Sequence, residues 1–196
     1  MSRIIAGSAK GRTLEAPKGK VTRPTTDRVR EAVFTMLSSW LGTVDESPAE
    51  HLGGIAFLDL YSGSGAIALE AASRGATPVV GIEKDQSAAR LIQHNAQTLG
   101  LEVTVRATSA VHYAAETGGQ FDVVYIDPPY EVADEALDEL LEALASNERL
   151  APRAMIVVER SKRSAEPNWP DSVEEHWDRR YGETTLFIGV TRDQEN

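Results

Sequence analysis

Asp127-Pro128-Pro129-Tyr130 carries the densest chemistry in the chain. It directly follows the apolar run Phe121-Asp122-Val123-Val124-Tyr125-Ile126, which reads as a buried parallel strand. A strand ending this way offers a carboxylate acceptor, two residues with locked φ, main-chain carbonyls whose neighbouring N–H groups are missing, and an aromatic face. The set suits a flat molecule bearing an exocyclic amino group. The two N–H bonds of such an amine can point at the Asp127 carboxylate and the Pro128 carbonyl while Tyr130 stacks on the ring. Read without regard to chemistry, the same four residues make a Pro-stiffened turn with a capping Asp.

A second cluster, Asp59-Leu60-Tyr61-Ser62-Gly63-Ser64-Gly65, lies at an earlier strand-to-helix junction. Glycines there allow a tight turn and a close approach of ligand to main chain. The first strand of an open α/β sheet borders the topological switch point, where ligands bind. Glu83 ends the next strand, eighteen residues after Gly65, and an acid there can accept both hydroxyls of an adenosine ribose. Two cofactors suit this pattern. Gly63-x-Gly65-x-x-Ala68 also satisfies the dinucleotide fingerprint, so a nicotinamide oxidoreductase is one reading. Asp59 favours the other: it would repel a pyrophosphate, but it can receive the ammonium of a methionine moiety. Hydride transfer also has no use for Asp-Pro-Pro-Tyr.

The elements that must hold these residues follow from periodicity. A helix enters near Arg23-Pro24-Thr25-Thr26-Asp27 and runs to Leu41, with Val29, Val33, Met36, Leu37 and Trp40 on one stripe and Gly42 as its stop. The segment 43–54 is polar and reads as a loop. Strands then alternate with helices: strand 55–60, helix 65–73, strand 78–82, helix 85–99, strand 102–106, strand 121–126, helix 131–145 and strand 154–158. The 85–99 helix is expected to bury Ala88, Leu91, Ile92, Ala96 and Leu99. Repeated β-α units demand a mostly parallel sheet covered on both faces. Residues 173–181 and 184–190 then read as an antiparallel hairpin turning at Gly182.

The 196 residues are 41% hydrophobic, which implies a packed globule with room for one domain and an appendage. There is no cysteine, which excludes disulfides and thiolate metal sites. His51, His94, His112 and His176 show no metal-ligand spacing, so no metal is expected. Met1 to Ala6 lacks the apolar region of a signal peptide and no run is long enough to span a membrane, so a cytoplasmic protein is expected. The net charge is -10. Residues 1–30, however, hold eight basic side chains against two acidic ones, a net +6, leaving -16 for the remainder. A basic head on an acidic body can turn one face toward phosphate. The head reads as a short hairpin, Arg3 to Ala6 and Arg12 to Glu15 around a Gly-rich turn.

Asp59-x-x-x-Gly63-x-Gly65, Glu83 and Asp127-Pro128-Pro129-Tyr130, in that order, resemble the class I S-adenosylmethionine-dependent amino-methyltransferases. Arg3-Ile4-Ile5-Ala6-Gly7 and Arg23-Pro24-Thr25-Thr26-Asp27-Arg28-Val29-Arg30-Glu31 are similar to the opening segments of the bacterial RsmD-type small-subunit ribosomal RNA guanine methyltransferases. The resemblance runs from Arg3 to the C-terminal hairpin. It implies an α/β, Rossmann-like sheet of seven strands with the last hairpin antiparallel. Residues 1–22 would form an N-terminal β-hairpin extension and residues 23–196 the methyltransferase domain.

The resemblance further implies methylation of the exocyclic 2-amino group of one guanine in 16S rRNA. S-adenosyl-L-methionine would be the cofactor and the 30S particle, with its ribosomal proteins, the partner. The enzyme is expected to act as a monomer. Asp59, Tyr61, Gly63 and Gly65 would hold the methionine part, Glu83 and Lys84 the ribose side, and Ser109 and Ala110 the adenine. Many class I enzymes carry Asp or Asn near Ser109, and this chain departs from that. Thr26 or Arg28 would close over the methionine end. Arg3, Lys10, Arg12, Arg23, Arg160 and Lys162 would meet the RNA. A DNA adenine or protein glutamine methyltransferase would share the core, though the glutamine enzymes carry Asn in place of Asp127. A non-enzymatic assembly factor would bind the particle without turnover. The methyltransferase reading requires that the Gly-lined crevice and the Asp127 loop open onto one cavity.

Overall fold

The computed structural model describes residues 2–16 and 26–193. The first helix, α1 (Asp27–Leu41), starts at Thr26, whose hydroxyl accepts the Val29 N–H, and stops at Gly42 with φ 73°. Six units follow in chain order: β1 (Phe57–Leu60), α2 (Ala66–Ser73), β2 (Val79–Ile82), α3 (Gln86–Leu99), β3 (Thr104–Arg106) and α4 (Ala110–Ala115). Then come β4 (Phe121–Ile126), α5 (Asp134–Ser146), β5 (Leu150–Ser161), β6 (Val173–Tyr181) and β7 (Thr184–Thr191). One sheet contains all seven strands in the order β3-β2-β1-β4-β5-β7-β6. β1 to β5 run parallel, and β7 is antiparallel to both β5 and β6. The sheet expected from the sequence is therefore present, reversed hairpin included.

Alternation along the strands sends side chains to two cores. Phe57, Tyr125 and Val157 pack under α1 and α2 with Val33, Phe34 and Leu37. Leu58, Val124 and Ile156 pack under α4 and α5 with Tyr113, Leu140 and Leu141. The order reverses direction at β1, which pairs with β2 on one side and β4 on the other. A crevice must open there at the C-terminal strand ends.

Four expectations need correction. On α3 the buried residues are Ala89, Ile92, Asn95 and Ala96; Ala88, Leu91 and Leu99 are half-buried. The polar Asn95 is inward because its amide exchanges two hydrogen bonds with the Glu15 backbone, at 3.0 and 3.1 Å. α4 was not anticipated, being six residues long and defined by its Ser109 cap onto the His112 N–H. α5 begins at Asp134, not Glu131, because residues 129–132 close a turn, with the Val132 N–H on the Pro129 carbonyl, and Ala133 is extended.

The fourth correction concerns the N-terminal hairpin. It has a single isolated bridge, Arg3 to Thr13, and it is not a free extension. Ile4, Ala9 and Leu14 are buried in a third core with Ala66, Leu69 and Ala96. The expected boundary between residues 22 and 23 lies outside the described residues. Gly7 sits at φ 87°, so close to α2 that a Cβ would stand 1.9 Å from the Ser73 carbonyl oxygen.

Glu70 fastens this segment. Its side chain is fully buried and accepts the N–H groups of Ile5 (2.7 Å) and Ala6 (3.0 Å). It also pairs with Arg74 at 2.8 Å and approaches Arg30 at 3.9 Å. Arg30, itself buried, donates to the Ser2 hydroxyl and the Arg3 carbonyl. Removing Glu70 would take the charged partner from the buried Arg74 guanidinium and the acceptor from two amides, while Arg30 would keep Ser2, Arg3 and Asp27. Glu70→Ala is expected to cost about 3–5 kcal/mol in urea unfolding; a loss below about 1 kcal/mol would show that the hub is dispensable. No described helix is long and apolar enough to cross a membrane.

Candidate active site

β1, β2 and β4 end at one cleft of about 1020 Å³. Asp59, Tyr61, Gly63, Glu83 and Lys84 line it together with Ser109, Ala110, Asp127, Pro128, Pro129 and Tyr130. Thr26 and Arg160 also line it. The spatial requirement stated from sequence is met: the glycine loop and the Asp-Pro-Pro-Tyr loop share one cavity. The β1–β4 register, with Asp59 beside Tyr125 and Leu60 beside Ile126, holds the two loops one strand spacing apart.

The loop after β1 is shaped by backbone constraints. Tyr61 takes φ 63° and Gly63 φ 54°, conformations that favour glycine and cost a tyrosine energy. Gly65 does not line the cleft. It turns the chain into α2 at φ 77°, and a Cβ there would meet Ile92 at 2.7 Å. The Gly63 N–H donates to Glu83 at 2.9 Å, and the Asp85 N–H donates to the other Glu83 oxygen at 2.8 Å. Glu83 is thereby aimed and fixed, while each of its oxygens keeps a further lone pair.

Asp59 is 2% exposed. Burial pushes its carboxyl from 3.8 up to about 7; the Ala68 N–H and the Ser62 hydroxyl pull it down by less, and the charge of Glu83 adds upward. The Ala68 N–H reaches it at 3.2 Å. A desolvated carboxylate of this kind suits a cationic ligand group, which would recover the energy that burial removes. The donor set therefore suits S-adenosylmethionine: Asp59 for an ammonium, Glu83 for ribose hydroxyls, and the open Gly63 backbone between them. Burial likewise raises the Tyr61 phenol, and Arg160 opposes that shift.

Pro128 is buried and Pro129 exposed, with the Val132 N–H donating to the Pro129 carbonyl at 3.0 Å to close a turn. Tyr130 lines the cleft and is 69% exposed. Arg160 holds this loop from β5. Its side chain is 9% exposed, donating to the Val132 carbonyl at 3.2 Å and pairing with Asp134 at 2.8 Å. Its charge also acts on Tyr61, so one guanidinium spans both loops.

Those of the remaining expected residues that are described lie outside the cleft. Arg28 is exposed on α1. Lys10 is exposed, Arg12 donates to the Thr98 carbonyl at 3.0 Å, and Lys162 pairs with Glu183 at 2.6 Å. Arg23 falls outside the described residues. Sequence reasoning missed Val111, Tyr125 and Glu159, all in the lining. The signal for Tyr125 was present, since it stands two residues before Asp127 on the same strand face. Among the described residues no group of three His, Asp or Glu side chains could hold a metal ion.

The strand order and the ligand-facing acids define a class I S-adenosylmethionine-dependent methyltransferase fold. The solved magnesium protoporphyrin IX methyltransferase from Synechocystis PCC 6803, with bound S-adenosylmethionine, shares that fold: TM-score 0.59, 19% identity, 89% of this chain and 86% of that one covered. Closer is a putative methyltransferase, yhhF, from Escherichia coli, at TM-score 0.82 and 30% identity over 98% of both chains. The family profile described as conserved hypothetical protein 95 matches residues 2–190. Ribosomal RNA small subunit methyltransferase D of Escherichia coli K12 is 35% identical over 169 residues, covering 86% of this chain and 79% of that protein. The chain belongs to this RsmD-type methyltransferase family.

Asp59 yields a test with a defined sign. A carboxyl raised in the folded state is stabilising when neutral, so in the empty protein stability falls as pH rises from 3.8 toward 7 and levels off above. Asp59→Asn is therefore expected to raise the melting temperature at pH 8, with the gain vanishing near pH 4. The same variant should bind S-adenosylmethionine at least about tenfold more weakly at pH 8. In the parent protein the affinity should fall about tenfold per pH unit below 7, because binding must expel the proton. A flat pH profile in the parent protein would remove Asp59 from cofactor binding.

Proposed function

We propose that this enzyme methylates the exocyclic 2-amino group of a guanine in small-subunit ribosomal RNA, on the assembled or assembling 30S particle. The observation that supports it is the union of the Asp127-Pro-Pro-Tyr130 loop with Asp59 and Glu83 in one cleft. The name of the Escherichia coli relative, a ribosomal RNA small subunit methyltransferase, agrees with that substrate. Such a substrate places the reaction in the cytoplasm. Both halves of the cleft come from one chain, so a monomer suffices.

S-adenosylmethionine, when bound, supplies a methyl group already activated on a sulfonium. The protein has to prepare the acceptor. The lone pair of guanine's 2-amino group is delocalised into the ring. Hydrogen bonds from its two N–H groups to the Asp127 carboxylate and the Pro128 carbonyl favour a pyramidal nitrogen and localise that pair. Asp127 then stabilises positive charge growing on nitrogen and need not take a proton beforehand. Tyr130, exposed in the cleft lining, stacks on a base taken from an unpaired segment or turned out of its helix.

Labelled cofactor incubated with unmethylated small subunits, naked rRNA or DNA, followed by mapping of the labelled base, tests the reading directly. Label on small-subunit guanine N2 is expected; label on DNA adenine or on protein would replace this function with another. Asp127→Ala should abolish transfer while cofactor affinity stays within about tenfold, ~1.4 kcal/mol. Full activity in that variant would take Asp127 out of the mechanism.

The basic head calls for a gentler probe than truncation, since residues 2–16 are part of the core. Lys10→Glu with Arg12→Glu should weaken binding to small subunits several-fold, more so at low salt, with cofactor affinity unchanged. Unaltered turnover on the particle would make the head's charge incidental.

A further inference from the structure

Glu159, two residues before the end of β5, lines the cleft and has no part in the mechanism above. The parallel register of β4 and β5 places Tyr125 beside Val157 and Ile126 beside Val158. Continuing it by one residue brings Asp127 beside Glu159, about 4.8 Å away by the usual strand spacing. Both side chains line the same cavity. The Tyr125 hydroxyl, on a fully buried ring beneath, hydrogen-bonds a Glu159 carboxylate oxygen. That bond fixes the acid's direction toward the face shared by Tyr125 and Asp59. A ligand presenting two neighbouring donors could meet both acids at once.

We infer that Glu159 selects the base by accepting the N1–H of guanine while Asp127 accepts the 2-amino group. This rests on the guanine reading above and supplies its specificity. Ionised carboxylates only accept hydrogen bonds. Guanine alone among the four common bases presents a ring N–H next to an exocyclic amine. Adenine and cytosine set a bare ring nitrogen beside their amines, and that lone pair would face a carboxylate. Uracil has a ring N–H but no amine. Two acids side by side therefore match one base and reject three. Tyr125 is a positioning residue in this scheme, acting through Glu159.

The test uses small subunits carrying 2-aminopurine at the guanine that receives the label. That base keeps the 2-amino group but has a bare N1. The parent enzyme should prefer guanine over 2-aminopurine by roughly a hundredfold in kcat/KM, the usual scale for a lost bond to a charged group. Glu159→Gln, whose amide can turn an N–H toward the bare nitrogen, should be slower on guanine and bring the two substrates within a few-fold. Its S-adenosylmethionine affinity and circular dichroism should match the parent's, and Tyr125→Phe should lower the preference partway. A parent enzyme indifferent to the exchange, or a Glu159→Gln variant with the preference intact, overturns the role of Glu159 while guanine methylation stands. Label found only on another base or macromolecule overturns both this inference and the proposed function.

Discussion

The pairing of β1 with β4 is the constraint on which the site depends. Strands joined by helical crossovers run parallel, and their C-terminal ends come out at one edge of the sheet. Where the strand order reverses, the connecting chains leave on opposite faces and nothing fills the gap. Asp59 beside Tyr125 and Leu60 beside Ile126 are the register pairs that set the two loops side by side. A slip of one residue would send Asp59 to the face packed by Leu58 and Leu60 and would close the cofactor half of the cleft. Every chemical assignment above presupposes that register.

Two buried acids show how surroundings separate structure from function. Glu70 is fully enclosed, but Arg74, two backbone amides and the nearby Arg30 meet its charge, and its work is to dock the N-terminal segment on α2. Asp59 is nearly as enclosed, and the influences upon it are an amide, a hydroxyl and a second acid. Burial above all raises its carboxyl to about 7, with Glu83 adding upward and the amide and hydroxyl pulling it down by less. A group left so costly to ionise destabilises the empty protein, and the cost makes sense only where a cationic ligand returns it. The same contrast explains why both acids stand on elements that meet at the glycine loop: α2 carries Glu70 into the core and begins where Asp59 accepts the Ala68 N–H.

Much of this was legible in the sequence. β4 has the bounds its apolar run suggested, and the strand-end acids Asp59, Glu83 and Asp127 are where spacing placed them. Strong periodicity and Pro or Gly punctuation carry such information locally. What stayed hidden depends on partners distant in the chain. Asn95 reads as an exposed helix position until Glu15 arrives to bond it. The basic hairpin reads as an extension, and nothing local to it shows that Glu70, far along the chain, caps its amides. α4 is too short for its period to show and owes its start to one serine. Arg160 reads from the sequence as an RNA contact, and its bonds to the Val132 carbonyl and Asp134 show only once the fold brings them together.

That placement of Arg160 bears on how an acidic protein can act on RNA. A side chain 9% exposed and bonded to two partners has little left for phosphate, and Lys162 is offset by Glu183. The acceptor side of the cleft therefore relies on shape and hydrogen bonding more than on charge. In the proposed role, Asp127 and Glu159 would disfavour a phosphate backbone and favour a base presented edge first. On the proposed function, binding of the strand would then come from elsewhere, from the basic N-terminal head and from the surfaces of the particle itself. An enzyme built this way gains little from naked nucleic acid. It is suited to a substrate already folded so that one base projects from it, with the exposed Tyr130 to meet the ring and the carboxylates to read its edge.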